Sequence, residues 1–177
     1  YTIDAALQSD LINYLTVSTD SIEIANVVSK LYDVEVIQRP PEFARDDSPI
    51  EDALLHAIEH VNQHSSYQPD IVVWMQPNVP IRETSTIDAT INKLIETDAD
   101  SCITCYEVTQ IPELMKTIND KGILVSNFKN VRGIRRQEFS KRYLADGSVV
   151  AMKKRALTNN SGPREAHAFL GNKVAPL

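Results

Sequence analysis

Glycine is scarce here, with 5 in 177 residues. A phosphate cradle of the P-loop or dinucleotide-binding type needs several glycines in one short stretch, and no such stretch occurs. Cysteine is scarcer: Cys102 and Cys105 are the only two. Two thiols make no disulfide framework, and no charged-then-apolar leader opens the chain, so a reducing cytoplasm is the expected compartment. Long apolar runs are missing, which argues against a membrane span. Aromatics make up 6% of residues and few fall among the basic ones. With a net charge of −6, this excludes base stacking on a cationic surface, and no nucleic-acid partner is expected.

Positive charge is itself confined. Residues 1–128 hold 7 Lys/Arg against 21 Asp/Glu, a net of −14, whereas residues 129–155 hold 9 against 2, a net of +7. A basic block on an acidic body points to an anion-handling segment or to an arm that docks on an acidic surface. The expected organisation is an α/β core over 1–128, a basic arm over 129–155, and a return to the core over 156–177.

What the chain does contain is centred on residues 70–82. Ile71 to Met75 are five consecutive apolar residues without alternation, the pattern of a strand buried on both faces, as at the centre of a parallel sheet covered by helices. The run ends in Gln76, Pro77, Pro80 and Arg82; proline cannot continue a ladder, so a stiff polar loop is expected at the strand's carboxyl end. In open α/β sheets that is where ligands sit.

Around this stretch, strands are expected at 13–18, 34–37 and 101–108. Helices are expected near 3–7, at 21–31 from a box formed by Asp20 and Glu23, at 49–61 with Ser48 as cap, and from Ser85 to about Glu96. Strand–helix alternation argues for a three-layer α/β domain with a largely parallel sheet. Beyond Val108 the pattern changes to antiparallel excursions, with a hairpin strand at 123–125, a turn at Asp146-Gly147 before residues 148–152, and a loop at 159–163. The Asn159-Asn160-Ser161 acceptor motif reads as chance in a chain that is not exported.

Several constellations invite a chemical reading. His56, His60 and His64 share one helical stripe, but no ligand joins them at metal spacing, and a solvated flank is the better reading. Cys102 and Cys105 match a CxxC spacing, yet on a strand their side chains point to opposite faces, so they read as small hydrophobes. No Ser-His-Asp ordering is persuasive. Arg135 and Arg136 are either a solvated charge run or a pair of guanidinium forks for phosphate or carboxylate oxygens. Gln76 either ties down its own loop or offers donor and acceptor together to a hydroxylated ligand.

Four segments, in order, carry a family resemblance. They are residues 1–9 with Val17-Ser18-Thr19-Asp20; Arg39-Pro40-Pro41-Glu42-Phe43-Ala44 with Asp46-Asp47-Ser48; Met75-Gln76-Pro77-Asn78-Val79-Pro80-Ile81-Arg82; and Arg135-Arg136-Gln137-Glu138-Phe139 through Tyr143 and Asp146-Gly147. Together they resemble the cytidylyltransferases that activate acidic nine-carbon sugars, the CMP-sialic acid synthetases and their relatives. The sequence departs from the family pattern at Asn78-Val79, where Thr-Ser is usual, at Leu144, and at Val150. The family's N-terminal strand and basic, glycine-containing phosphate loop would be expected before Tyr1, and its metal-holding aspartate pair after Leu177; this sequence contains neither.

The resemblance implies a Rossmann-like nucleotidyltransferase fold with a small antiparallel dimerisation arm. It implies transfer of CMP from CTP to a sialic-acid-like sugar with release of pyrophosphate. Mg²⁺ is implied too, with ligands that are not in this chain. Carried over residue by residue, Arg39 and Ser48 would lie at the nucleotide's base and ribose, and Gln76 would hydrogen-bond the sugar. Lys116, Arg135 and Arg136 would face the sugar carboxylate or the phosphates. The basic arm would make a homodimer with shared sites. Two other readings stand beside this one: a catalytically degenerate sugar-nucleotide-binding or dimerising module, and a nucleotidylyltransferase for another sugar.

Overall fold

The computed structural model describes residues 1–129, 135–158 and 168–177, with the Arg136 side chain left aside. The loop expected at 159–163 therefore lies outside the described residues. The chain divides into two compact units: Tyr1–Thr104 with Gly147–Leu177, and Cys105–Asp146. The second unit begins well before the basic block, and the last three basic residues of that block, Lys153 to Arg155, belong to the first.

The first unit starts with α1 (Thr2–Leu7) and β1 (Thr16–Thr19). That strand begins later than the composition of residues 13–18 indicates. The Ser9 hydroxyl accepts from the amides of Leu11 and Ile12, 3.2 Å each, and donates to Asp88, which holds the preceding residues in a loop. Next comes α2 (Ile22–Leu31), capped by Ser21 rather than Asp20: the Ser21 hydroxyl accepts from the Ile24 amide at 3.3 Å. β2 (Glu35–Gln38) pairs parallel with β1 in the register Thr16↔Glu35 to Thr19↔Gln38.

α3 (Ile50–His64) carries no side-chain cap; Pro49 precedes it, with its fixed φ already suited to helix entry. β3 (Ile71–Trp74), α4 (Thr84–Thr97) and β4 (Ser101–Val108) complete the alternation. β7 (Arg142–Lys153), α5 (Lys154–Thr158) and β8 (Val174–Pro176) return the chain to the core.

The central sheet runs β3-β7-β4-β8. β4 and β8 are parallel, and β7 is antiparallel to β3, with Trp74↔Val150 and Ile71↔Lys153 in register. The parallel β1–β2 pair and the parallel β4–β8 pair make the first unit's layer mostly parallel, as expected. The exception is β7, which is a central strand and not an excursion. Its signature is legible afterwards: Val149 to Met152 are four apolar residues without alternation, the same pattern as β3.

Those runs are apolar throughout because both faces of the sheet are covered. On one face, Val149 and Ala151 of β7 and Ile71 and Val73 of β3 pack with Ala5 of α1 and Ile87, Ile91 and Leu94 of α4. On the other, Val150 and Met152 and Val72 and Trp74 pack with Ile58 of α3, Leu157 of α5, Phe169 and Leu170. Helices on both sides of one sheet make three layers. Ile87, Leu94, Val149, Ala151 and Met152 are fully buried. Such closely packed positions stabilise by roughly 1.5–3 kcal/mol per large side chain.

The second unit contains β5 (Lys116–Ile118) and β6 (Leu124–Ser126), an antiparallel hairpin in the register Lys116↔Ser126 to Ile118↔Leu124. Asn119 turns its chain: its Oδ1 accepts from the amides of Lys121 and Ile123 at 3.0 Å. Ion pairs of Lys141 with Glu107, 2.7 Å, and of Arg142 with Glu113 tie the basic segment to acidic residues of the same unit. The Glu113 carboxyl is held below its ordinary range by a backbone hydrogen bond and then by Arg142.

Candidate functional site

The carboxyl end of β3 is built by its two prolines and by Arg82. Pro77 and Pro80 remove ladder donors, and the Val79 amide closes a turn on the Gln76 carbonyl at 3.3 Å. Arg82 then grips three separate segments. Its Nε donates to the Ser148 carbonyl at 2.8 Å, one Nη to the Gln76 carbonyl at 2.9 Å, and the other to the Thr2 hydroxyl at 3.0 Å. The start of α1, the end of β3 and the point where β7 enters the sheet are thereby joined through one guanidinium. Sequence reasoning gave Arg82 no role beyond its place in the motif. Nothing in the sequence says which three acceptors the fold brings around it.

Gln76 is half-buried at this edge. Its side chain lies against Gly147, where an added Cβ would stand 3.4 Å from Cδ and Oε1 and 3.5 Å from Nε2. Among the described residues, none hydrogen-bonds to the Gln76 amide; only its backbone carbonyl is engaged. Gly147 has φ +72, a left-handed conformation in the interior of β7. The turn expected at Asp146-Gly147 is instead a conformational break inside one continuous strand. The reason is that Ser148 and its successors are held by β3 on one side and β4 on the other.

A second polar edge follows β2. The Arg39 amide donates to the Thr19 carbonyl at 2.8 Å, extending the β1–β2 ladder by one step. Its guanidinium folds back on Ser18, Nε to the hydroxyl at 3.1 Å and one Nη to the carbonyl at 2.6 Å. Among the described residues, the other Nη makes no hydrogen bond. Ser48 is not a helix cap: its hydroxyl donates to the Glu42 carbonyl at 2.8 Å and accepts from the Arg45 amide at 3.1 Å. It locks the proline-containing loop between β2 and α3 into one shape, around the short 3-10 turn Pro41–Phe43.

Arg39, Ser48 and Gln76 thus belong to the first unit. Lys116, Arg135 and Arg136 belong to the second. Lys116 is exposed on β5, Arg135 is exposed with its carbonyl accepting from the Glu138 amide at 3.0 Å, and Arg136 opens the 3-10 turn Arg136–Glu138.

The histidine stripe is not the solvated flank expected: His56 and His60 are half-buried, because Phe43 of the loop after β2 packs on the His56 ring at 5.7 Å and Glu35 lies against His60. His60 faces Glu35 at 3.2 Å, and His64 donates Nδ1–H to the His60 carbonyl at 2.9 Å while its ring stacks on His60 at 4.2 Å. Cys102 is buried in the core and Cys105 is half-buried. Among the described residues, no three His, Cys, Asp or Glu side chains are grouped so as to hold a metal ion, and no helix is long and apolar enough to cross a membrane. A cleft of about 330 Å³ opens at the amino ends of β1 and β2, lined by Leu7, Tyr14 and Glu35 among others. It lies at the end of those strands away from Arg39.

The family model for cytidylyltransferases matches residues 1–156. The chain belongs to the cytidylyltransferase family. Among curated proteins, it is similar to the N-acylneuraminate cytidylyltransferase of Streptococcus agalactiae serotype III, at 26% identity over 84% of this chain and 35% of that protein. It is similar to the enzyme of the same name from Escherichia coli O18:K1:H7 at 25% identity, over 70% of this chain and 28% of that protein. The chain spans about a third of the length of these relatives.

Among solved structures, a CMP:2-keto-3-deoxy-manno-octonic acid synthetase complexed with CTP superposes with a TM-score of 0.66 at 16% identity, covering 98% of this chain and 75% of that one. A 4-diphosphocytidyl-2C-methyl-D-erythritol synthase from Anaerococcus prevotii gives 0.61 at 14% identity, covering 99% and 76%. The three-layer architecture of this cytidylyltransferase-family chain is therefore the nucleotidyltransferase fold.

Proposed function

We propose that the protein carrying this chain is a cytidylyltransferase that transfers CMP from CTP to an acidic nine-carbon sugar of the N-acylneuraminate type. In that reaction the sugar's anomeric hydroxyl oxygen bonds to the α-phosphorus of CTP. The bond from that phosphorus to the bridging oxygen of pyrophosphate breaks, and the hydroxyl proton is lost. The work asked of a protein here is positioning together with electrostatic stabilisation.

The observation that carries the reading is the unengaged amide of Gln76 at the carboxyl end of β3, in a chain of this family. A primary amide there presents an N–H donor and a C=O acceptor to adjacent sugar hydroxyls. Arg39 and Ser48 hold the loop after β2 as the nucleotide's side of the site. Lys116, Arg135 and Arg136 supply cations for the sugar carboxylate and the phosphates. The basic arm makes a homodimer, and the location is cytoplasmic. Mg²⁺ is the cofactor of this reading, with ligands outside this chain; among the described residues no three His, Cys, Asp or Glu side chains are grouped to hold it.

The test is pyrophosphate release by the full-length protein from CTP, supplied with N-acetylneuraminic acid, its pseudaminic and legionaminic relatives, and 2-keto-3-deoxy-octonic acid in turn. Turnover with a nine-carbon acid and not the octonic acid supports the reading. Preference for the octonic acid, for a neutral acceptor, or for another nucleotide overturns it. CTP binding without turnover on any acceptor points to the catalytically degenerate module.

A further inference from the structure

We propose that His56 is a positioning residue for the nucleotide's side of the site, acting through Phe43 on the loop that follows Arg39 and carries Ser48. The inference rests on the reading of Arg39 and Ser48 as that side. The loop mostly faces solvent. Of residues 41–47, Pro41, Glu42, Arg45, Asp46 and Asp47 are exposed, and only Phe43 and Ala44 are half-buried. Phe43 is therefore the one large apolar side chain with which this stretch can grip the rest of the first unit. The surface it meets is α3. Its ring lies 5.7 Å from the His56 ring, centroid to centroid, with the planes tilted by 52°. That is within the range at which aromatic rings attract one another.

The contact sits where the loop is already fixed from within. The Phe43 amide donates to the Pro40 carbonyl at 3.0 Å and closes the 3-10 turn Pro41–Phe43. On one side of Phe43, the Glu42 carbonyl accepts from the Ser48 hydroxyl at 2.8 Å; on the other, the Arg45 amide donates to the same hydroxyl at 3.1 Å. Ser48 sets the loop's internal shape, and the Phe43–His56 contact sets where that shape stands on α3. A loop ordered in advance has less freedom to lose when the nucleotide binds.

The ring of His56 makes this contact without help from a hydrogen bond at Nδ1. That nitrogen is buried and has no hydrogen-bond partner among the described residues. A polar atom left unpaired in this way is destabilising, so a ring without nitrogen should serve the same contact. His56→Phe and His56→Ala therefore separate ring packing from anything else a histidine can do. In the full-length protein, His56→Ala should raise Kd for CTP about fivefold, the scale of one aromatic pair, with KM for N-acetylneuraminic acid unchanged. His56→Phe should keep the CTP Kd within about twofold of the parent and should not lower Tm. In a Phe43→Ala background, His56→Ala should no longer change the CTP Kd, since the residue acts through that ring.

Isothermal titration with CTP measures Kd, and hydrogen exchange reads the loop with no ligand present. His56→Ala should speed exchange at the Phe43, Ala44 and Arg45 amides, all hydrogen-bonded within the loop, and leave the β2 amides as they are. Unchanged exchange at those three refutes the contact. Equal damage by His56→Phe and His56→Ala, additive effects with Phe43→Ala, or a loss shared equally by CTP and the sugar overturns the positioning role. If Arg39→Ala raises the CTP Kd and His56→Ala does not, the role fails while the reading of the loop stands. If Arg39→Ala leaves the CTP Kd unchanged, the reading of the loop fails first, and the proposal with it.

Discussion

Replacing Arg82 by alanine removes hydrogen bonds that reach three separate segments. The lost acceptors are the Ser148 and Gln76 carbonyls and the Thr2 hydroxyl, at 2.8, 2.9 and 3.0 Å. Hydrogen bonds to a charged donor contribute about 1.5–3 kcal/mol each when sheltered, and about 1 kcal/mol when water can take over. Arg82 is half-buried, which puts this case near the lower value, for a total of about 3 kcal/mol. In a chain of this size that corresponds to a fall in Tm of roughly 6–12 °C.

Arg82→Lys is the informative companion. An ammonium keeps the charge but cannot span three acceptors in a plane, so about two-thirds of the loss should remain. Thermal and urea unfolding followed by circular dichroism measure both. A loss below about 1 kcal/mol for alanine, or full recovery by lysine, refutes the idea that the planar fork joins these segments.

Three further outcomes are expected. Gln76→Ala should raise the sugar KM and spare CTP, and Arg39→Ala should do the reverse; steady-state kinetics with each substrate varied in turn decides, and equal losses of both contradict the assignment. Gly171→Ala should cost about 2 kcal/mol or more in urea unfolding, because a Cβ there would sit 2.5 Å from the Asp100 Cβ at a left-handed φ of +82. Asp100 is held below its ordinary pKa of 3.8 by the amides of Lys173 and Asn172, which its carboxylate accepts at 3.1 and 3.0 Å. A depressed pKa means stability that is present above 3.8 and lost as pH falls through the lower folded value. Asp100→Asn should therefore flatten the fall of Tm below about pH 4, and an unchanged acid limb would sink that account.

Much of the architecture follows from local chemistry. Unbroken apolar runs at 71–75 mean a strand covered on both faces, and the prolines after Gln76 mean that the strand must stop. The strand does stop there and helices do lie on both faces, α1 and α4 on one and α3 and α5 on the other, but β3 is an edge strand of its sheet, antiparallel to β7 and half-buried at all four residues, and not the central strand of a parallel sheet that the run implies. β4 occupies the very residues its pattern implies, Ser101–Val108. Caps were less legible: Ser21 and Asp20 are both good cap residues, and Ser48 and Pro49 compete for one helix start. Which one wins depends on where the loop before it is tied.

What the chain by itself determined was its class: α/β alternation, a polar edge at Gln76, and the family motifs in order. Tertiary structure alone decided that β7 lies between β3 and β4, that Arg82 joins three segments, and that the Gln76 side chain comes close to Gly147. The physical reason is distance along the chain. Periodicity and capping act over a few residues, whereas Arg82 meets Ser148 across 66 positions and Thr2 across 80. Such meetings are fixed only when every strand of the sheet has found its neighbour.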